Sequence, residues 1–279
     1  MRVVFLGDVV GRAGRVAIGH WGPRLKRALK PDLIVTNGEN AAGGFGITEK
    51  IVHELFEAGT DVITTGNHVW DQKDIMPVID REERLIRPLN YPSELPGKGW
   101  VIATTQTGHR VLVINAMGRL FMDPLDDPFR MVSAVLDDHP LGTAVDAVLI
   151  DFHAEATSEK MAFGHYFDGR ASLIVGTHTH VPTADCHIMV HGTAYQSDAG
   201  MCGDYDSVIG MDKVEPLNRF TRKMGSGRLE AAGGEATICG LMVDTNAEGL
   251  AGRVEPIQIG GRLQPRLPDG LSAEDLLAA

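Results

Sequence analysis

Cysteine is scarce in this chain: Cys186, Cys202 and Cys239 are the only three, and no two form a CxxC pair. An odd, scattered set excludes a disulfide framework and a thiolate-bound structural zinc. It fits a reducing cytoplasm, with each thiol read as a small buried apolar side chain. Positive charge is in deficit as well, 26 Lys and Arg against 37 Asp and Glu, for a formal charge of -11. A surface of that sign repels phosphate backbones, so no stable nucleic-acid partner is expected, although residues 219–228 are locally basic. Long apolar runs are missing too. The first, residues 3–6, is cut short by Gly7-Asp8, and no later run is long enough to cross a bilayer; nothing reads as a signal peptide. What remains is ordinary for a globular protein: 279 residues, 43% hydrophobic and 23% charged. One domain over 1–279 is expected, with a small helical excursion about 71–96.

The informative pattern is a short buried strand followed at once by a polar turn. Arg2–Leu6 is a β-branched and aromatic run that ends in Gly7-Asp8. Residues 14–30 turn helical, with Pro23 expected to break or kink the helix. Leu33, Ile34 and Val35 form the next strand and run into Asn37-Gly38-Glu39-Asn40. A helix is predicted over 48–58, then a strand over 62–65 that ends in Gly66-Asn67-His68. Further strands read at 100–104, 111–115, 147–152, 173–175, 187–190 and 238–244. The alternation predicts an α/β fold, with a mixed sheet or a two-sheet sandwich in the second half. Residues 213–235 are weakly patterned and read as a long mobile loop, and 269–279 as a surface helix or frayed tail.

Ligands of open α/β sheets gather beyond the carboxyl ends of the strands, so these turns should converge. They carry Asp8, Glu39, Asn67 with His68, His153, and the pair His178 and His180. Carboxylate, amide oxygen and imidazole together suit borderline ions such as Mn, Fe or Zn. Singly, each has a plain alternative: Asp8 as a helix cap, Asn37 and Asn40 as turn formers, Gly43-Gly44-Phe45-Gly46 as a flexible turn. In series they point to a metal site. The spacing His178-x-His180 at a strand end is expected to place both imidazoles on one side of the pleat. Asp151 and Glu155, which flank His153, read equally as supporting partners or as solvated groups. The other seven histidines, from His20 to His191, lie off the strand ends and read as surface or core residues.

The succession Gly7-Asp8, Gly38-Glu39-Asn40, Gly66-Asn67-His68, Phe152-His153 and Gly176-Thr177-His178-Thr179-His180 resembles the calcineurin-like metallophosphoesterase superfamily. Over the full length the chain resembles the bacterial YmdB-like branch, most closely in 5–11, 37–41, 66–71 and 200–210. The resemblance implies a two-sheet α/β/β/α sandwich and two metal ions per chain. Iron or manganese is implied, with zinc or magnesium also compatible. It implies that Glu39 bridges the ions, with Asp8, Asn40 and His180 completing one site and Asn67, His153 and His178 the other. His68 is implied as the general acid. Three departures stand out: Val10 occupies the place of a usual histidine ligand, and Asn40 is implied to replace it. Glu39 stands where most relatives have Asp. Val69 replaces the usual acidic partner of the catalytic His, which leaves the orientation of His68 unassigned. The implied activity is hydrolysis of small phosphodiesters, notably 2′,3′-cyclic nucleoside monophosphates, by a cytoplasmic homo-oligomer. A phosphomonoesterase and a regulatory protein with a retained metal pair are the rivals. Tyr205 is a candidate wall for the base or ribose.

Overall fold

The computed structural model describes residues 1–225 and 227–278. Ser226, within the expected loop, and Ala279, the end of the tail, lie outside the described residues. The strands run β1 (Arg2–Leu6), β2 (Asp8–Val9), β3 (Leu33–Asn37), β4 (Val62–Thr64), β5 (Trp100–Thr104), β6 (Arg110–Met117) and β7 (Ala147–His153). They continue with β8 (Leu173–Thr177), β9 (His187–Ile188), β10 (Ala194–Gln196), β11 (Met201–Asp204), β12 (Ala236–Thr245) and β13 (Ala251–Ile259). The helices are α1 (Gly11–Leu29), α2 (Glu49–Glu57), α3 (Met76–Arg81), α4 (Pro128–Asp138), α5 (Thr157–Phe167), α6 (Val214–Arg222) and α7 (Ala273–Ala278).

Two sheets stack in a sandwich. One has seven strands in the order β2-β11-β12-β1-β3-β4, with β13 on the outside of β12; the other has six in the order β5-β6-β7-β8-β10-β9. Strand alternation explains the layers. Val3 and Phe5 of β1 point inward with Leu33 and Val35, and meet Val111, Val113, Leu149, Leu173 and Val175 of the other sheet. Val4 and Leu6 point outward onto Ile18, Leu25 and Leu29 of α1 and Val52 and Leu55 of α2. On the far side, Leu112, Ile114, Val148 and Ile150 pack under Val132 and Leu136 of α4 and Phe163 and Phe167 of α5. The architecture is therefore the α/β/β/α sandwich. Within each half the central strands are parallel, β1 with β3 and β4, and β6 with β7 and β8. Their carboxyl ends share one rim.

Two sequence expectations need correction, and one helix lies outside them. Pro23 lies inside an unbroken α1; the carbonyl it leaves without a donor belongs to exposed Gly19, where water reaches it. Residues 213–235 are not all loop. Val214–Arg222 forms α6, with Glu215 and Pro216 buried beneath a helix whose Val214, Leu217 and Phe220 face solvent. That outward apolar face inverts the usual pattern and hid the helix. Finally, α4 went unread although Asp127-Pro128 is a strong start signal: the Asp127 carboxylate accepts from the Phe129 and Arg130 amides. No helix among the described residues is long and apolar enough to cross a membrane.

Candidate metal centre at the shared strand rim

Asp8 opens β2, which pairs with β11 and so fixes the carboxylate under the turn that follows β1. Glu39 and Asn40 follow β3, Asn67 and His68 follow β4, His153 ends β7, and His178 and His180 follow β8. The set thus draws on both sheets. Its donor atoms form two groups that share Glu39: Glu39, His153 and His178, and Asp8, Glu39 and His180. In each group the atoms lie within 4.8 Å of one another. Both asparagines join them. Asn67 Oδ1 is 2.9 Å from His153 Nε2, and Asn40 Oδ1 is 3.1 Å from His180 Nε2.

The three imidazoles and Asn40 are turned by partners behind them. The Thr177 hydroxyl donates to Asp151 at 2.7 Å and accepts from His153 Nδ1 at 2.9 Å, so Nε2 faces the cluster. Asp151 is buried and also receives Asn37 Nδ2 and the Thr64 hydroxyl. The Nδ1 of His180 donates to the Ile209 carbonyl at 2.8 Å, which aims its Nε2 inward. For His178 the roles reverse: Nε2 faces Glu155 at 3.1 Å and Nδ1 faces His153 at 3.1 Å. Asn40 Nδ2 donates to the Gly44 carbonyl, which leaves Oδ1 for the cluster. That contact gives the Gly43-Gly44-Phe45-Gly46 run its role. Its three glycines all have positive φ and fold the chain back onto Asn40. Gly66 is required for space, because a Cβ there would collide with Glu39 Oε2 and His153 Nε2.

The expectation for His178 and His180 is corrected in one respect. They do not share a face of a strand: β8 ends at Thr177, and the two have φ of 97° and 66°. Left-handed backbone at two imidazole residues is strained and must be held. The holder is a buried ion pair: Lys160 Nζ of α5 donates to the Thr177 carbonyl and to Asp198 Oδ2, both at 2.7 Å. Asp198 Oδ2 also takes the amide and hydroxyl of Thr179, and its Oδ1 the Gly200 amide. The turn sends His178 to one donor group and His180 to the other.

The charges fit a cation. Asp8 Oδ1 is buried with no hydrogen-bond partner, and Glu39 Oε1 faces only His153 Nε2 at 3.2 Å outside hydrogen-bond geometry, an expensive arrangement unless an ion faces them. Burial pushes the Asp8 carboxyl well up, against the opposing pull of His153. The Glu39 carboxylate resists its own burial and is held down at about 2 by neighbouring His153. Burial opposes charge on His153, but Glu39 and then Asp8 raise it to about 9. The field that favours an imidazolium there favours any cation between these carboxylates. Burial and His153 push His178 down to about 3, and burial lowers His180, so both are neutral and ready to donate a lone pair.

His68 stands apart from the ligand-type groups. Its amide donates to Glu39 Oε2 at 3.1 Å, its ring lies edge-on to Phe45, and its Nδ1 is 2.8 Å from Asp71 Oδ2. The partner missing at position 69 is supplied from position 71, one turn further on. Sequence reasoning missed this, as it missed the Lys160–Asp198 brace and the Ile209 carbonyl; only Asp71, at i+3 in a turn, left a readable signal. Glu155 faces His178 directly, and Asp151 supports His153 through the Thr177 hydroxyl. Tyr205 is not a wall of the site. Its hydroxyl points inward, donating toward the carbonyls of His180 and Met201 and accepting the Met201 amide. His20, His53, His109, His165, His187 and His191 are exposed and His139 half-buried, all away from the cluster. Burial raises the thiols, Cys186 to about 11 and Cys239 to about 12, which keeps them unreactive.

Residues 4–257 match the family model described as YmdB-like protein. The chain is 48% identical over 244 residues to the 2′,3′-cyclic-nucleotide 2′-phosphodiesterase of Bacillus subtilis, covering 88% of this chain and 91% of that one. A hypothetical protein from Thermus thermophilus superposes with a TM-score of 0.88 at 42% identity, over 94% of this chain and all (100%) of that one. A Mycoplasma pneumoniae protein described as a novel phosphatase gives 0.86 at 34% identity, over 93% of each chain.

Proposed function

Because the chain belongs to the YmdB-like family, we propose that it is a metal-dependent phosphodiesterase that opens the cyclic diester of 2′,3′-cyclic nucleoside monophosphates. The observation that carries the reading is the pair of donor groups sharing Glu39, with unpartnered oxygens on Asp8 and Glu39 facing the gap. Asp8, Asn40 and His180 would hold one ion, Asn67, His153 and His178 the other, with Glu39 shared between them. Iron or manganese suits this mix of carboxylate, amide and imidazole. When bound, the two ions would supply Lewis acidity toward the phosphoryl oxygens and an activated water. The chain does the rest. Asp71 fixes the His68 ring through Nδ1 and leaves Nε2 to deliver a proton. As the water oxygen bonds to phosphorus and the bond to one ribose oxygen breaks, His68 protonates the departing alkoxide. Asn67 and His178 are only half-buried, so the cluster opens to solvent on the His68 side, where a substrate enters. The same reading makes the enzyme a cytoplasmic homo-oligomer, as the family resemblance implies.

The test is metal analysis of the purified protein together with a turnover panel. Two ions per chain, turnover of 2′,3′-cyclic nucleotides, and faster hydrolysis of bis-p-nitrophenyl phosphate than of p-nitrophenyl phosphate are expected. Faster hydrolysis of the monoester would make it a phosphomonoesterase. Fewer than two ions per chain under replete conditions would overturn the mechanism.

A further inference from the structure

Phe121 takes no part in the metal cluster, yet its setting is unusual. It is 91% exposed and its backbone is left-handed, with φ of 63°. Residues with a bulky side chain avoid that region, and an exposed phenyl ring gains nothing from water. The local structure holds it there nonetheless. β6 runs in register with β7 up to Met117 beside His153, and the next amide, Gly118, donates to the His153 carbonyl at 3.0 Å. The Arg119 and Leu120 amides donate to the Glu159 carboxylate of α5 at 2.9 and 3.1 Å, and Glu159 is itself buried. On the other side Asn90 accepts the Met117 amide and donates to the carbonyls of Met117 and Asp126. The loop is fastened at both ends, and fastened to the strand that carries His153. Three residues past Gly118, Phe121 stands within about 11 Å of it along the chain. Strain, exposure and bracing together at the rim of a site mark a residue kept for contact with something that arrives.

We propose that Phe121 is the wall on which the substrate's nucleobase stacks while the phosphodiester sits at the cluster, an inference that rests on the phosphodiesterase reading above. Two aromatics on the turns of the cluster are engaged otherwise: Tyr205 has its hydroxyl bonded inward, and Phe45 is edge-on to His68. A nucleobase presents a flat π face whatever its identity, so an exposed phenyl ring accepts purines and pyrimidines alike. A braced loop also leaves less backbone freedom to lose when the base arrives.

The experiment compares 2′,3′-cyclic AMP with 1-O-methylribose 2′,3′-cyclic phosphate, the same diester without a base. For F121A the ratio of kcat/KM values, nucleotide over base-less diester, is expected to fall about ten-fold or more, through KM, and F121W restores it. F121G is expected to lose the same preference while its thermal midpoint holds or rises, because glycine relieves the backbone. A purely structural residue would lose midpoint and preference together. An unchanged ratio, or an equal loss on both substrates, overturns the stacking role. So does a changed oligomeric mass in solution for F121A with the ratio intact, which makes Phe121 a packing residue between copies. If the wild-type chain opens neither diester, the phosphodiesterase reading falls first and the stacking role with it.

Discussion

The floor and the rim of the cluster are held by different means. Asp8, Glu39 and His153 are at most 1% exposed, and His153 is backed by Thr177 and Asp151, themselves buried and tied to Asn37 and Thr64. The rim imidazoles, His68 and His178, have side chains 28% and 23% exposed, and each leans on one surface carboxylate, Asp71 or Glu155. A buried network acts as a unit and is costly to break, whereas an exposed pair contributes little to stability. The floor should therefore decide most of the ion affinity; at the rim His178 adds one ligand, and His68 sets how fast the bound substrate reacts.

Lys160→Met strikes the brace between the two regions hardest. It leaves the Asp198 carboxylate buried without its cation, an expected cost of about 3–5 kcal/mol. The thermal midpoint and the metal content should fall together; an unchanged midpoint would refute the brace. The metal-depleted protein tests the floor through pH. His153 rises from 6.5 to about 9 in the folded state, so its contribution is complete below pH 6.5 and is lost as pH rises through 9. The expected loss is on the order of 3 kcal/mol, and His153→Gln should flatten the slope. Asp151→Asn should weaken ion binding by about 10–100-fold in a calorimetric titration, with kcat recovering at saturating metal. At the rim, Asp71→Asn should keep the metal and lower kcat by about ten-fold for nucleotides. A p-nitrophenolate leaving group, which needs no proton, should escape that penalty. Glu155→Gln should be mildest, a few-fold at most. If Asp71→Asn stripped metal as thoroughly as Asp151→Asn, the distinction between floor and rim would collapse.

Much of the floor was legible in the sequence because it sits at strand ends. A buried β-branched run followed by Asp8, Glu39 or His153 declares its place, and the parallel sheets bring such ends together. The rim and its braces were less legible. The strands β10 and β11 are only three and four residues long, and β13 shows a run of half-buried residues in place of a clean alternation, so no period stands out. His178 and His180 looked like strand residues because the turn that carries them is held by Lys160 and Asp198, distant in sequence. Tyr205 read as a candidate wall of the site because the inward hydroxyl bonds to Met201 and His180 that hold it depend on the folded loop. Asp71 was within reach: one turn after His68, it lay in the segment that carried the family resemblance.

Glu39 extends from the sheet built on β1, β3 and β4, and His153 from the sheet built on β6, β7 and β8, yet their side chains meet at 3.2 Å. An ion bound between them spans the seam of the sandwich, so capturing metal and closing the two sheets are linked equilibria. At a free ion concentration one hundred times its dissociation constant, a bound ion would add about 2.7 kcal/mol to the folded state. Metal supply would thereby bear on the lifetime of the fold as well as on turnover, and a chelator would lower the thermal midpoint as it removes activity.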